Sequence, residues 1–206
     1  MYERTQQLKD PASPIYGCDA FWNTFWNLNQ LWALATPDIM NKWVESLLEY
    51  YRVGGWLPNG PLGVEYCDIM GAQHEIPLMV SAYQKGIRNY DVDKAYEAVK
   101  KTLTTQGTAL SSGGIVGNRH LDVYLKYGFV PYGEKSHHNV FGTTYEGPTS
   151  NTLEYAFDDW NAAQFAKALG YEEDYDYFTR RAYNYKNVFD SETKYVRPKY
   201  SDGTWM

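Results

Sequence analysis

Apolar residues recur every three or four positions along most of the 206-residue chain, and the strict alternation of a half-buried strand hardly appears. Starting at Asp19, read as an N-cap, Phe21, Phe25, Leu28, Trp32 and Ala35 fall on one helical stripe. Thr36 followed by Pro37 predicts a second helix, with Met40, Trp43, Leu47 and Tyr51 on its buried face and a stop at Gly54–Gly55. A third is expected from about Pro77 to Gly86. Asp91 caps a fourth carrying Val92, Ala95, Val99 and Leu103. A Gly/Ser/Thr loop follows, and then a short helix between Asn118 and Gly128. After the long loop from Phe129 to Ser150, a helix starting at Asn151 runs to Gly170. The last, from about Glu172 to Phe189, has an acidic start and a basic end that suit the helix dipole. Seven helices with one apolar face each must pack on one another, as a bundle, a solenoid or an α/α toroid. No period of 34 to 47 residues favours the regular solenoid.

Composition changes this picture in one respect. Hydrophobic residues at 44% and charged residues at 21% describe an ordinary globular chain, but aromatics reach 17%, with 20 Tyr and 7 Trp. Such residues suit an amphipathic core and rim, and equally a surface on which sugar rings stack. A net charge of -6 without a basic run excludes the electrostatic footprint of nucleic-acid binding. No run of about 18 apolar residues predicts a membrane span. The N-terminal MYERTQQLKDPASP lacks the apolar core of a signal peptide. Cys18 and Cys67 have neither metal nor redox spacing and are read as free thiols, with one disulfide as the alternative. His74, His120, His137 and His138 lack the spacing of a helical zinc site.

Three stretches carry polar chemistry. In GPTSNTLEYAFDDW, Glu154 stands three residues after Asn151, the geometry of a capping box, and Asp158 lies one turn further along the same face. Leu153, Ala156, Phe157, Trp160 and Ala163 would cover the other side, making the helix two-faced, while Asp159 would anchor a neighbouring segment. In DAFWNTFWNLNQLW, Asn23, Asn27 and Gln30 accompany Trp22 and Trp26. Amides that donate and accept match sugar hydroxyls, but they also suit a buried ladder between helices. GGWLPNGPLGVEYCDIMG is a Gly/Pro-rich loop bearing Trp56 and Glu65, where binding groups are commonly placed.

The segments GCDAFWNTFWNLNQLWALATPDIMNKWVESLLEYYRVGGWLP, TSNTLEYAFDDWNAAQFAKALG and RRAYNYKNVFDSETKYVRPKYSDGTW resemble, in order, the helical toroid domain of glycoside hydrolase family 92, the calcium-dependent exo-α-mannosidases. The resemblance implies an all-α fold of helical hairpins forming part of an (α/α)6 toroid. Residues 1–15 would be an N-terminal extension and residues 16–206 the partial toroid. It also implies hydrolysis of a terminal α-mannoside in a glycan, calcium in the full-length enzyme, and a secreted or periplasmic location. Many members have a Trp-Asp-Thr-aromatic-Arg run where this chain reads Trp22, Asn23, Thr24, Phe25 and Trp26, so two groups thought to hold the mannose are replaced. The family segments bearing the acid, the base and part of the calcium site would lie in the remainder of the catalytic domain, C-terminal to Met206. The substrate-binding residues expected in this chain are Asp19, Trp22, Asn23, Trp26, Trp56, Glu65, Glu154 and Asp158, converging on one concavity, with no metal ligand among them. Two other readings stand beside it: a non-catalytic carbohydrate-binding or scaffold module, and another toroid carbohydrate enzyme with Glu65 and Asp158 as its acids.

Overall fold

The computed structural model describes residues 15–62, 65–67, 71–110, 115–134 and 147–206, with Glu65, Cys67 and Ile115 described by their backbone alone. Seven α-helices lie among them: α1 (Leu28–Ala35), α2 (Pro37–Gly54), α3 (Glu75–Gln84), α4 (Val92–Thr104), α5 (Leu121–Tyr127), α6 (Pro148–Leu169) and α7 (Glu172–Ala182). Two short antiparallel ladders interrupt the loops. β1 (Gly60–Leu62) pairs with β2 (Glu65–Cys67), and β3 (Thr108–Ala109) with β4 (Ile115–Val116).

The stop signals hold: Gly55, Gly128 and Gly170 follow α2, α5 and α6 at φ 78°, 73° and 82°, in the left-handed region where a Cβ is penalised. Asp91 caps α4 by accepting from the Lys94 backbone N–H at 2.9 Å.

Four boundaries differ from the sequence reading. Asp19 is not a helix cap. The stripe from Phe21 is broken because the backbone N–H groups of Cys18 and Phe21 donate to Pro61 and Asn59, tying the segment to the stretch around β1. Asn23 then turns left-handed at φ 69°, Thr24–Trp26 forms one 3-10 turn, and α1 begins only at Leu28. Asn118 does not cap α5, whose N-cap position is His120. Asn151 lies inside α6. This helix starts three residues earlier because Gly147 adopts the left-handed region and Pro148, with its φ preset, takes the first turn. Glu154 is therefore outside any capping box. Finally, α7 tightens into a 3-10 turn at Tyr183–Val188, which carries Val188 inward and leaves Tyr185 and Phe189 at the surface.

The main core joins Met40, Leu47, Met79, Val99, Phe165 and Phe178, contributed by α2, α3, α4, α6 and α7. The segment Leu121–Val130 builds a second cluster with Tyr155 of α6. Two helices are enclosed on most sides: α3, with eight of its ten residues buried, and α6. Their junction positions the candidate site. The long-loop residues 135–146, with His137 and His138, and residues 1–14 lie outside the described residues.

Candidate functional site

Helix α6 is not the two-faced element the sequence suggests. Asp158 and Asp159 are fully buried, and Trp160, expected on the apolar side, is 52% exposed. The reason is packing: α3, α4 and α7 all lie against α6, so two flanks are covered at once. The edge left open carries Leu153, Glu154, Phe157 and Trp160, which follow one another at helical spacing.

Against that edge stand the 3-10 turn and the entry to α3. Phe25 packs on Phe157 with ring centroids 4.5 Å apart, and edge-on against His74 at 5.3 Å. His74 Nε2 meets Glu154 Oε2 at 2.9 Å, the imidazole being buried and the carboxylate partly open. One residue earlier, the Gln73 backbone N–H donates to Asp158 Oδ2 at 2.8 Å. Residues 73 and 74 thus grip two carboxyl groups one turn apart on α6. Beside the grip, Trp26 is 69% and Trp22 42% exposed, unusual openness for side chains of that size.

The electrostatics beneath are those of buried acids whose desolvation outweighs the little counter-charge near them. Burial pushes the Asp158 carboxyl up to about 8, with Glu75 and Asp159 adding to the effect and His74 and the Gln73 N–H opposing it. Burial likewise pushes Glu75 up to about 8, and both of its carboxyl oxygens lack a hydrogen-bond partner. Burial alone would depress the His74 imidazole. The bond to Glu154 and the charges of Asp158 and Glu154 outweigh it and hold His74 above its ordinary value. The half-buried free thiol of Cys18 is raised to about 12 by burial, Asp19 and Glu75.

The expected site residues therefore divide. The Thr24–Trp26 turn reaches the α6 edge through Phe25, which packs on Phe157 and His74; Trp26 belongs to that turn, and Trp22 and Asn23 precede it in the chain. Asp158 is fully buried, out of reach of solvent. Asp19 is exposed, its carboxylate accepting from the Ala20 N–H. Of the amides, Asn27 and Gln30 point to solvent, and the buried one is Asn29. Trp56 packs elsewhere, under the Lys101 ammonium at 4.9 Å and in a cluster with Tyr50, Tyr66 and Val116. The Glu65 side chain lies outside the described atoms; its backbone pairs with Leu62. Sequence reasoning missed His74, Phe25, Phe157 and the open side of Trp160. The only signal for His74 was a polar residue directly before an apolar helix. Among the described residues, no group of three or more His, Cys, Asp or Glu side chains could hold a metal ion. No described helix is long and apolar enough to cross a membrane.

Comparison with known proteins places the chain in a family. The model of the glycosyl hydrolase family 92 catalytic domain matches residues 1–206. An inverting mannosidase of that family from Bacteroides thetaiotaomicron is 29% identical, superposes with a TM-score of 0.81, and aligns over 93% of this chain and 24% of its own. A family 92 α-mannosidase of the same bacterium, solved with mannoimidazole, is 30% identical with a TM-score of 0.77, over 93% and 23% of the two chains. An uncharacterized secreted glycosidase of Arthroderma benhamiae is 27% identical over 91% of this chain and 27% of its own. The chain thus spans about a quarter of the length of these relatives. Its helices are part of the helical toroid of that catalytic domain.

Proposed function

From the premise that this chain belongs to glycosyl hydrolase family 92, we propose that it is one part of the catalytic toroid of an exo-α-mannosidase that works with inversion. The observation that carries this reading is the open edge of α6. A partly exposed carboxylate, Glu154, is held by a buried imidazole, and against that imidazole packs Phe25, from the stretch that carries the exposed indoles of Trp22 and Trp26. A pyranose has an apolar face and vicinal hydroxyls; indoles cover the first and a fixed carboxylate accepts from the second.

Inversion needs one protonated carboxyl on the leaving oxygen and a second that activates water, roughly 6.5–9.5 Å apart. Asp158 and Glu75 are fully buried, so neither reaches a glycosidic oxygen, and the buried acids serve as supports. The acid and base are assigned to the rest of the catalytic domain, since this chain spans about a quarter of its relatives' length. The same holds for calcium. A calcium cage needs six to eight oxygens, and the described residues gather no such set. No step here runs through calcium. Open apolar surface on α1, at Leu31 and Leu34, and near Tyr183 and Tyr195 is where the remaining helices of the ring would pack. Export fits this reading, as for the fungal relative described as secreted.

The experiment is hydrolysis by the full-length gene product, supplied with calcium, across a panel of α-mannosides, with the anomer of the released sugar followed by NMR. Release of β-mannose is expected. Silence on every mannoside combined with activity on another glycoside overturns the reading.

A further inference from the structure

The grip of residues 73 and 74 on α6 has a chemical consequence at Glu154. Its Oε2 is fixed by His74 at 2.9 Å, while Oε1 makes no hydrogen bond among the described residues. The imidazole cannot swing away: it is 1% exposed, and Phe25 and Phe157 meet it edge-on at 86° and 87°. Its backbone is fixed too, since the preceding N–H is tied to Asp158 and the following residue opens α3. A carboxylate with one oxygen anchored and the other open is a preorganised acceptor.

We propose that His74 is a positioning residue, which holds Glu154 so that its free oxygen accepts a hydroxyl of the sugar bound on the Trp22–Trp26 turn. This rests on the carbohydrate-binding reading of the same edge. The titratable groups around the ring are Glu154 and Asp158 from α6 and Glu75 from its own helix; the 3-10 turn presents only the Phe25 ring. His74 acts through Glu154 and does not itself touch the sugar.

The test uses the full-length enzyme and whichever glycoside it cleaves. Thus the proposal can survive a wrong substrate assignment, and the reverse. His74→Leu should raise KM about tenfold, the effect of losing one charge-assisted hydrogen bond, with kcat changed less than about twofold. His74→Gln, whose amide nitrogen can take the place of Nε2, should restore most of the loss. In the Glu154→Gln background, His74→Leu should add nothing further to KM. A merely structural pair would lower the melting temperature and leave KM alone, and that result overturns the proposal, as would additive effects on KM. If the Leu variant does not fold, His74→Asn, whose shorter amide does not reach Glu154, takes its place in the same cycle. One readout needs no substrate: in the full-length enzyme the NMR titration of His74 should move to lower pH in Glu154→Gln. An unchanged titration would overturn the pairing itself.

Discussion

Asp158 and Asp159 are adjacent, equally buried, and chemically identical, yet they inhabit different regions of the molecule. Asp159 faces α5 and α7. Arg181 Nη2 stands 2.7 Å from its Oδ1, Arg181 Nε donates to its Oδ2 at 3.0 Å, and the Tyr124 hydroxyl adds a bond at 3.0 Å. Arg181 in turn donates to the Leu103 carbonyl and the Tyr177 hydroxyl. Burial pushes the Asp159 carboxyl up, while Arg181 and Tyr124 pull it back. Asp158 faces α3, where it has one backbone N–H, a second oxygen without a partner, and beside it Glu75 with neither oxygen bonded. Buried polar groups are ordinarily paired because an unpaired one costs its desolvation in full. In the Asp159 region the buried charge is met by the Arg181 ion pair, and the network ties four helices together, α4 to α7. The Asp158 region departs from that rule one turn along α6 from the open carboxylate of Glu154. Two buried acids without a cation at hydrogen-bond distance thus lie next to Glu154's helical turn, while the neighbouring Asp159 is ion-paired.

The hardest test of this contrast is Arg181→Met, which strips the cation from a buried carboxylate. It should cost about 3–5 kcal/mol of stability by chemical denaturation at neutral pH. A loss of under about 1 kcal/mol would show that the two regions do not differ in the way described.

Glu75→Leu should act in the opposite sense, stabilising by about 1–3 kcal/mol because it removes two unbonded buried oxygens. The pH dependence follows from the raised value. Folded Glu75 keeps its proton up to about 8, whereas the unfolded side chain loses it near 4.3. Between those limits the folded state binds the extra proton, so wild-type stability falls as pH rises. The advantage of Glu75→Leu should therefore be larger at pH 8 than at pH 5. An equal advantage at both would remove the protonation argument.

Asp91→Ala, at the cap of α4 and outside both regions, calibrates the scale with an expected loss of about 1 kcal/mol. Arg181→Met must exceed it clearly. The smallest effect is expected from Asp158→Asn. Near neutral pH this replaces a protonated acid by an amide of the same shape whose oxygen can still accept from Gln73, so stability should change by less than about 0.5 kcal/mol. A large loss would mean that Asp158 is ionised in the folded protein.

What the sequence determined by itself was the set of helices and where most of them stop. Those signals are local. Apolar spacing, the Asp91 cap and glycines at left-handed positions act within one or two turns, so they can be read without knowing the neighbours. Tertiary structure decided which side of α6 is inside. Helical spacing shows which residues share a face but not how many neighbours cover it, and with α3, α4 and α7 all packed against α6 the acids were enclosed and Trp160 was left out. It also decided that Phe21 should precede a broken turn and not a continuous helix, since the backbone bonds to Asn59 and Pro61 come from some forty residues away. Glu154 looked like a cap because its natural local partner was three residues back. Its actual partner, His74, is 80 positions distant, and a contact at that separation leaves no trace in local periodicity, because only the packing of α3 on α6 creates it.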